Sequence, residues 1–409
     1  MGSIINYSYY NVIAWKKNGL YKRYPKNILS SDFEGNECDY LLFLKLGTRY
    51  SIPDIDNLIA SLELIYMVNP KTFVVLTPRK NPPLYTATEE EFVFSFSCQI
   101  HYLKKLLRTL DNKEILSTEL LFELLDIITK DNSGLEKLLI RQFPFKKDKE
   151  ILPSRYDIII PHRGDNNYLS SVLTFLSLTK GTKIYIGIDQ DVTTDVLQLI
   201  KGFTDVLFYK FTPNPVGPYV VRNRLIDQSC NELIFFQDSD DIPCADRFTR
   251  ISSYMKSNDC QLCGSHELRM DYYNRTVQAV RFPVDVTAAL KSAPWHSLLH
   301  PSSAITRKAF YKCGTLSEER TFGNDTKFLL NSFFVLNNIK NIDEFLYIRK
   351  RHPDSLTTSP ATRIGSPERR KLLHTWNYDF EQIKMGNLKL ENSSLPFEAS
   401  KLKIEMEKL

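Results

Sequence analysis

The sequence predicts an α/β protein, a doubly wound and mostly parallel sheet preceded by an N-terminal α/β unit and followed by a helical tail. Three observations carry this. Short apolar strand runs alternate with helix-period segments from Tyr156 to Phe236, the pattern of a parallel sheet with helices on both faces. A charged, proline-ended stretch, Lys146-Lys147-Asp148-Lys149-Glu150 followed by Pro153, interrupts the chain before that pattern begins. The 409 residues, 43% hydrophobic and 25% charged, also exceed what one small core organises. The expected units are 1–150, 151–360 and 361–409.

In the first unit, Tyr40 to Leu44 reads as an apolar strand. Asp54 to Val68 carries Ile55, Leu58, Ile59, Leu62 and Ile65 at helical spacing. Thr72 to Leu76 is a second strand, and Phe92 to Leu110 and Leu116 to Thr129 are expected helices. Beyond the hinge, Tyr156 to Ile160, Lys183 to Ile188, Val206 to Phe211 and Leu233 to Phe236 are expected strands. The helices Tyr168 to Leu178, Thr193 to Ile200 and Tyr219 to Ser229 separate them. In the tail, Leu373 to Ile383 and Ala399 to Leu409 read as helices.

Composition excludes several classes. Lys plus Arg at 53 against Asp plus Glu at 48 gives +5, too mild a charge to argue nucleic-acid binding. Seven scattered cysteines, an odd number, do not form a secreted disulfide framework and point to a reducing, cytoplasmic setting. Cys260 and Cys263 have the spacing of half a zinc ribbon, but no second pair follows, so a place in the apolar core is expected. No apolar run approaches the ~20 residues that span a bilayer. The amino end lacks the pattern of a signal peptide. Any membrane contact, for instance at the inner face, is then peripheral.

Ligands of open α/β sheets bind beyond the carboxyl ends of the strands. The fourth strand of the second unit runs directly into Gln237-Asp238-Ser239-Asp240-Asp241, three carboxylates in four residues. Crowding like charges is costly unless a cation neutralises them. Hard oxygen ligands suit Mg²⁺ or Mn²⁺, which bridge readily to substrate phosphates. The plain alternative, a solvated acidic turn, is disfavoured by the buried strand that leads into it.

Taken together, residues from about 155 to 356 resemble a GT-A-fold, Rossmann-like nucleotide-sugar glycosyltransferase of the inverting family 2 type. The resemblance rests on Tyr156 to Arg163 as the opening strand and on Ile186-Gly187-Ile188-Asp189-Gln190-Asp191. It rests equally on Val221-Arg222-Asn223 placed before the Asn231 to Asp241 strand and carboxylate turn. It implies that Asp189 accepts from the base, that Arg222 lies beside base or diphosphate, that Asp238 meets ribose or metal, and that Asp240 binds the metal. Pro161, His162, Arg163 and Ser239 would line the nucleotide-sugar site. Gln190 in place of a second Asp, and His162-Arg163 in place of Thr-Tyr, depart from the family pattern at the donor side.

Inverting transfer also needs a base that takes the acceptor proton. The family places it in an acidic pair at a helix start, which Asn324-Asp325 resembles, so Asp325 is the expected base. Its alternative role is a helix N-cap. By the same resemblance Trp295, His296 and His300 shape the sugar and acceptor pocket. Leu346 to Leu356 resembles the closing strand and lid, with Arg351 or His352 on diphosphate or metal.

Asp39 to Arg49 can be laid on Glu232 to Asp241, with Leu46 and Thr48 where carboxylates would stand, which would make the first unit a degenerate, non-catalytic copy. Chance similarity of two apolar strands is the alternative. Lys16, Lys17, Lys22, Arg23 and Lys26, among Trp15, Tyr21 and Tyr24, form a basic and aromatic stretch that reads as a solvated face. The last amphipathic segment is expected to dock on the chain's own surface rather than on a second copy or a membrane.

The expectation is therefore a Mn²⁺- or Mg²⁺-dependent inverting glycosyltransferase. It would move sugar from a nucleoside diphosphate sugar, by resemblance a UDP-sugar, to a glycan such as a surface polysaccharide, or to a lipid-linked or protein acceptor. A nucleotidyltransferase acting on a sugar phosphate and a non-catalytic glycan- or partner-binding module are the rival readings. The sequence leaves homo-oligomer formation open.

Overall fold

The computed structural model describes residues 10–15, 21–24, 40–45, 52–69, 71–78, 83–91, 95–99, 102–103, 105–106, 119–130, 135, 137–143, 155–176, 182–353, 355–360 and 362–409. Strands β1 (Tyr10–Trp15), β2 (Tyr21–Tyr24), β3 (Tyr40–Lys45), β4 (Thr72–Pro78), β5 (Thr88–Glu91), β6 (Ser95–Gln99) and β7 (Lys137–Phe143) belong to the first part of the chain. Six of them form a sheet in the order β2-β1-β3-β6-β4-β7, and β5 joins the second sheet instead. Helices Ile52–Val68 and Leu120–Lys130 accompany them.

The second part contributes β8 (Tyr156–His162), β9 (Lys183–Ile188), β10 (Val206–Thr212), β11 (Leu233–Phe236), β12 (Ile242–Pro243), β13 (Leu262–Asp271), β14 (Thr276–Arg281), β15 (Ala304–Thr306), β16 (Ile339–Arg351) and β17 (Glu405–Lys408). The path through this sheet is β12-β16-β13-β15-β11-β8-β9-β10-β17, with β14 on β13 and β5 on β14. Strands β11, β8, β9 and β10 run parallel, and the chain moves outward from β8 in both directions. The crevice between β8 and β11 is thus the switch point of the sheet.

Alternation along these strands builds two cores. In β8, Ile158 and Ile160 face one cluster, with Leu169, Val172 and Leu173 of helix Asn166–Leu176 and Ile251 of helix Arg247–Ser257. Ile159 of β8 and Ile234 and Phe236 of β11 face the other, with Val221 and Leu225 of helix Pro218–Gln228 and Leu330 of helix Asn324–Val335. A strand buried on both faces must read as a continuous apolar run, as Ile158-Ile159-Ile160 does. Gly187 sits mid-strand in β9 because a Cβ there would lie 2.3 Å from Val221 Cγ1 and 2.8 Å from Phe211 Cε2. Its absence lets helix Pro218–Gln228 lie against the sheet.

Two expectations are corrected. Within the segment 92–110, residues 95–99 form strand β6, antiparallel to β3 and β4, with Phe96, Ser97 and Cys98 all buried. Residues 399–409 are not helical, and their end is β17, antiparallel to β10. The alternation Leu402, Ile404, Met406 is the period-two signal that a helix lacks, and Ile404 and Met406 pack on the second core. Strand β3 is antiparallel to both neighbours, and β11 is parallel to β8 and antiparallel to β15.

Helix Pro367–Lys384 encloses the expected 373–383 segment. Cys260 and Cys263 are free thiols in the buried core. Leu46, Thr48, Lys16, Lys17 and Lys26 lie outside the described residues, as do the side chains of Lys22 and Arg23. Among the described residues, no helix is long and apolar enough to cross a membrane.

The two sheets meet through specific contacts. Leu138 of β7 accepts from the Ala245 amide at 3.1 Å, Gln142 Nε2 donates to the Asp343 carbonyl at 2.8 Å, and Tyr272 Oη donates to Asp126 at 2.7 Å. Strand β7 therefore grips the chain four residues after the carboxylate turn.

Candidate active site

The turn Gln237–Asp241 emerges from β11 at the switch point and is braced from behind. The guanidinium of Arg247, fully buried, donates to Gln237 Oε1 at 2.6 Å and to the carbonyls of Phe236 at 2.7 Å and Pro301 at 2.9 Å. Gln237 Nε2 in turn donates to the carbonyls of Asp238 at 2.8 Å and Asp241 at 2.9 Å. Burial pulls the Arg247 pKa down to about 10, which leaves the brace cationic at neutral pH.

The three carboxylates differ in what they do. Asp241 is buried, accepting from Tyr347 Oη at 2.9 Å and from the Lys350 amide at 2.8 Å, so it pins β16 to the turn. Burial, with the charges of Asp240 and Asp238, pushes its carboxyl well above the usual range. Asp238 is ion-paired with Arg222; burial and Asp240 outweigh that pair and raise it. Asp240 is half-buried and faces His352 Nε2 at 2.8 Å. Burial alone would raise Asp240, but the His352 hydrogen bond and charge hold it below the usual carboxylate range.

This donor set fits a hard divalent cation. One carboxylate oxygen from each of Asp238, Asp240 and Asp241 lies within 4.8 Å of the others. The 2.8 Å between Asp240 Oδ2 and His352 Nε2 is close to the edge of about 3 Å between neighbouring ligands in an octahedron with bonds of about 2.1 Å. Asp241 spends both oxygens on β16, which leaves Asp240, Asp238 and His352 as the candidate ligands.

Around the turn, His162 at the end of β8 contacts Ser239 Oγ through Nδ1 at 2.9 Å and Asn166 Oδ1 through Nε2 at 3.1 Å. Burial lowers its pKa, so the ring is neutral and ties the first strand to the turn. Pro161 lies in β8 opposite Gly187, and Arg163 is exposed just beyond. Asp189 is buried, accepting from the amides of Val216 at 2.7 Å and Gly217 at 2.9 Å, so both its oxygens hold the loop that opens helix Pro218–Gln228. Gly217 takes φ 96° there, a conformation costly for a side chain.

Asp325 stands in the first turn of helix Asn324–Val335. The N-cap of helix Asn324–Val335 is Gly323, with φ 81°, so Asp325 is not the capping residue. Its carboxylate accepts from Tyr219 Oη at 3.1 Å. Burial would raise Asp325, but the His296, His300 and Arg369 charges and the Tyr219 hydroxyl bring it below the usual range. Tyr219 and Arg222, three residues apart on helix Pro218–Gln228, hold Asp325 and Asp238 respectively, which brings the two carboxylates to one helix. His300 packs against Phe236 with ring centroids 4.1 Å apart and planes tilted by 32°, and burial with Arg222 lowers its pKa to about 3. Trp295 is 58% exposed, and His296 lies beside Phe282, with ring centroids 6.1 Å apart.

Arg351 turns elsewhere: it donates to Asp271 at 3.0 Å, in the bend that closes β13. Within the run 349–351, the cations whose charges act on the carboxylates, beside Arg222, are Arg349 and Lys350. Burial opposes the charge of Arg349, and Glu267, Asp241 and Asp238 more than restore it. Lys350 Nζ is buried without a hydrogen-bond partner, 5.2 Å from the Tyr168 ring centroid, and burial lowers its pKa to about 8. Sequence reasoning also missed Tyr219, Arg247 and the bracing role of Asp241. A run of Arg349-Lys350-Arg351 offers no signal for which of its charges act on the carboxylates until the neighbours of β16 are known.

No family model matches the chain, and no curated protein matches it. Among solved structures it is similar to S. aureus TarS 1-349 in complex with UDP, with TM-score 0.40, 16% identity, and coverage of 49% of this chain and 61% of that one. It is also similar to TarS 1-349 in complex with UDP-GlcNAc, with TM-score 0.43, 12% identity, and coverage of 56% and 73%. A third is the mannosyltransferase PcManGT from Pyrobaculum calidifontis in complex with GDP-Man and Mn2+, with TM-score 0.40, 10% identity, and coverage of 59% and 68%. The chain thus spans less than two thirds of the first of these.

Proposed function

We propose that the protein is a divalent-metal-dependent, inverting glycosyltransferase using a nucleoside diphosphate sugar, by sequence resemblance a UDP-sugar, with a glycan hydroxyl as acceptor. Residues 151–360 form the catalytic unit of this reading, 1–150 an accessory unit and 361–409 an extension. One observation supports it above the rest: Arg222 and Tyr219 of one helix hold Asp238, in the carboxylate turn at the β8/β11 switch point, and a separate carboxylate, Asp325.

Asp240, Asp238 and His352 would hold the cation. When bound, Mn²⁺ or Mg²⁺ supplies Lewis-acid stabilisation of the departing diphosphate. Arg222, Arg349 and Lys350 add fixed positive charge around the phosphate position, which a water-poor site makes effective. Asp325, ionised at neutral pH, accepts the acceptor proton, and Tyr219 orients it by donating to one oxygen. The displacement inverts the anomeric centre in one step and needs no enzyme nucleophile.

A nucleotidyltransferase reading is less well supported. The Gly164 amide, in the loop after the first strand, donates to Gln190 Oε1 at 2.6 Å instead of standing open to a triphosphate. The test is turnover of a panel of sugar nucleotides with Mn²⁺ by wild type and Asp325→Asn. Release of nucleoside diphosphate by the wild type alone supports the reading. No binding or turnover of any member overturns it.

A further inference from the structure

Asp325 is delivered by a loop, residues 313–323, that runs from helix Arg307–Lys312 to helix Asn324–Val335. Its place beside Tyr219 and Arg222 therefore depends on how that loop is held.

One side chain of helix Pro218–Gln228 grips the loop directly. Asn223, next to Arg222 and buried, accepts from the Leu316 amide at 3.2 Å and donates through Nδ2 to the Leu316 carbonyl at 2.7 Å. The same Nδ2 donates to Glu318 Oε1 at 2.9 Å. Glu318, also buried, pairs with Arg224 at 3.2 Å, so two consecutive residues of the helix close on it. A side-chain amide that meets both backbone groups of one residue fixes its orientation as well as its distance.

Asn324 passes this hold to the base. Buried at the start of its helix, it donates through Nδ2 to the Ser317 carbonyl at 2.6 Å and the Arg320 carbonyl at 3.2 Å. A carboxylate at 324 could make neither bond, which accounts for an amide there beside Asp325. The tail of the chain adds a second grip. The Glu318 amide donates to the Glu398 carbonyl at 2.8 Å, and the Glu398 amide donates to Ser317 Oγ at 3.1 Å.

We propose that Asn223 is a positioning residue, which acts through Leu316, Glu318 and Asn324 to hold Asp325 at the site it shares with Tyr219 and Arg222. The proposal rests on the transferase reading for the role of Asp325. The Tyr219 hydrogen bond sets one distance to that carboxylate, and the loop sets the helix start from which it projects. A reacting group displaced by even a fraction of its contact distance loses rate without losing ligand affinity.

The test compares wild type, Asn223→Asp and the double variant Asn223→Asp/Glu318→Gln. In the single variant a carboxylate meets Glu318 and the Leu316 carbonyl. In the double variant the glutamine amide donates back to it, which restores the pair with its polarity reversed. Asn223→Ser, which adds no charge, supplies the same reading if the single variant does not fold. The single variant is expected to lose about 10–100-fold in kcat, with donor KM and Mn²⁺-assisted UDP uptake kept within about twofold, and the double variant to recover. Amide exchange over residues 316–323 should run about 5–30-fold faster in the single variant and slow again in the double, the effect of losing one or two kcal/mol of local hydrogen bonding. Unchanged kcat in a folded 223 variant, an equal loss of UDP uptake, no recovery in the double variant, or loop amides as protected as in wild type would each overturn the proposal. A wild type that takes up no sugar nucleotide overturns the transferase reading instead, and the exchange rates still decide whether Asn223 holds the loop.

Discussion

His352 Nε2 lies 2.8 Å from Asp240 Oδ2, joining the end of β16 to the turn that follows β11 across 112 residues of sequence. Because the hydrogen bond and charge of His352 outweigh burial and keep Asp240 ionised, the imidazole donates through Nε2. A cation entering between the two would replace that proton. The pair is the hinge on which the metal proposal turns.

Asp240→Ala and His352→Ala should each weaken Mn²⁺-assisted UDP binding. The loss expected is at least about 10–100-fold, the cost of losing even an outer-shell partner. Calorimetry with and without Mn²⁺ measures it. Equal affinity for UDP in wild type and both variants would remove the metal site.

Asp325→Asn should keep nucleotide binding while lowering kcat by about 10²–10⁴-fold, the usual worth of a positioned base. Because its surroundings hold Asp325 below the ordinary carboxylate range, kcat/KM of the wild type should stay flat down to about pH 5. An acid limb centred near pH 6.5 would assign the base to a histidine instead.

His300 gives a stability prediction with a definite sign. Its folded pKa of about 3 lies below the value near 6.5 in the unfolded chain, so the unfolded state binds the extra proton between those limits. The native state is then fully favoured above about pH 6.5 and loses stability as pH falls toward 3. His300→Phe, which replaces a ring whose Nε2 is buried without a hydrogen bond, should flatten this slope. Urea midpoints at pH 7 and pH 4.5 provide the comparison.

Gly187→Ala should cost about 1–3 kcal/mol, the range for overpacking a close-fitted core. The added methyl would meet Val221 at 2.3 Å and force helix Pro218–Gln228 off the sheet. Thermal denaturation reads the change, and an unaltered Tm would mean that the helix has room to move.

The parallel strands were legible because burial on both faces demands continuous apolar runs, and Ile158-Ile159-Ile160 and Leu233 to Phe236 supply them. Residues 399–409 were misread although Leu402, Ile404 and Met406 alternate, since charged neighbours gave the segment the look of an amphipathic helix. Strand β6 was obscured in the same way by the helix-like spacing around it. The turn at Asp238–Asp241 stood out from its position after a strand, but nothing local said that Asp241 would be spent on Tyr347 and the Lys350 amide.

Sequence alone determined the alternation of strands and helices, the place of the carboxylates at a strand end and the presence of an acidic residue at a later helix start. These depend on periodicity and on neighbours a few positions apart. Tertiary structure alone decided the partners: Arg222 for Asp238, His352 for Asp240, Tyr219 for Asp325, and Arg349 and Lys350 rather than Arg351 toward the turn. Those choices depend on the order of strands in the sheet, which contacts between distant segments fix.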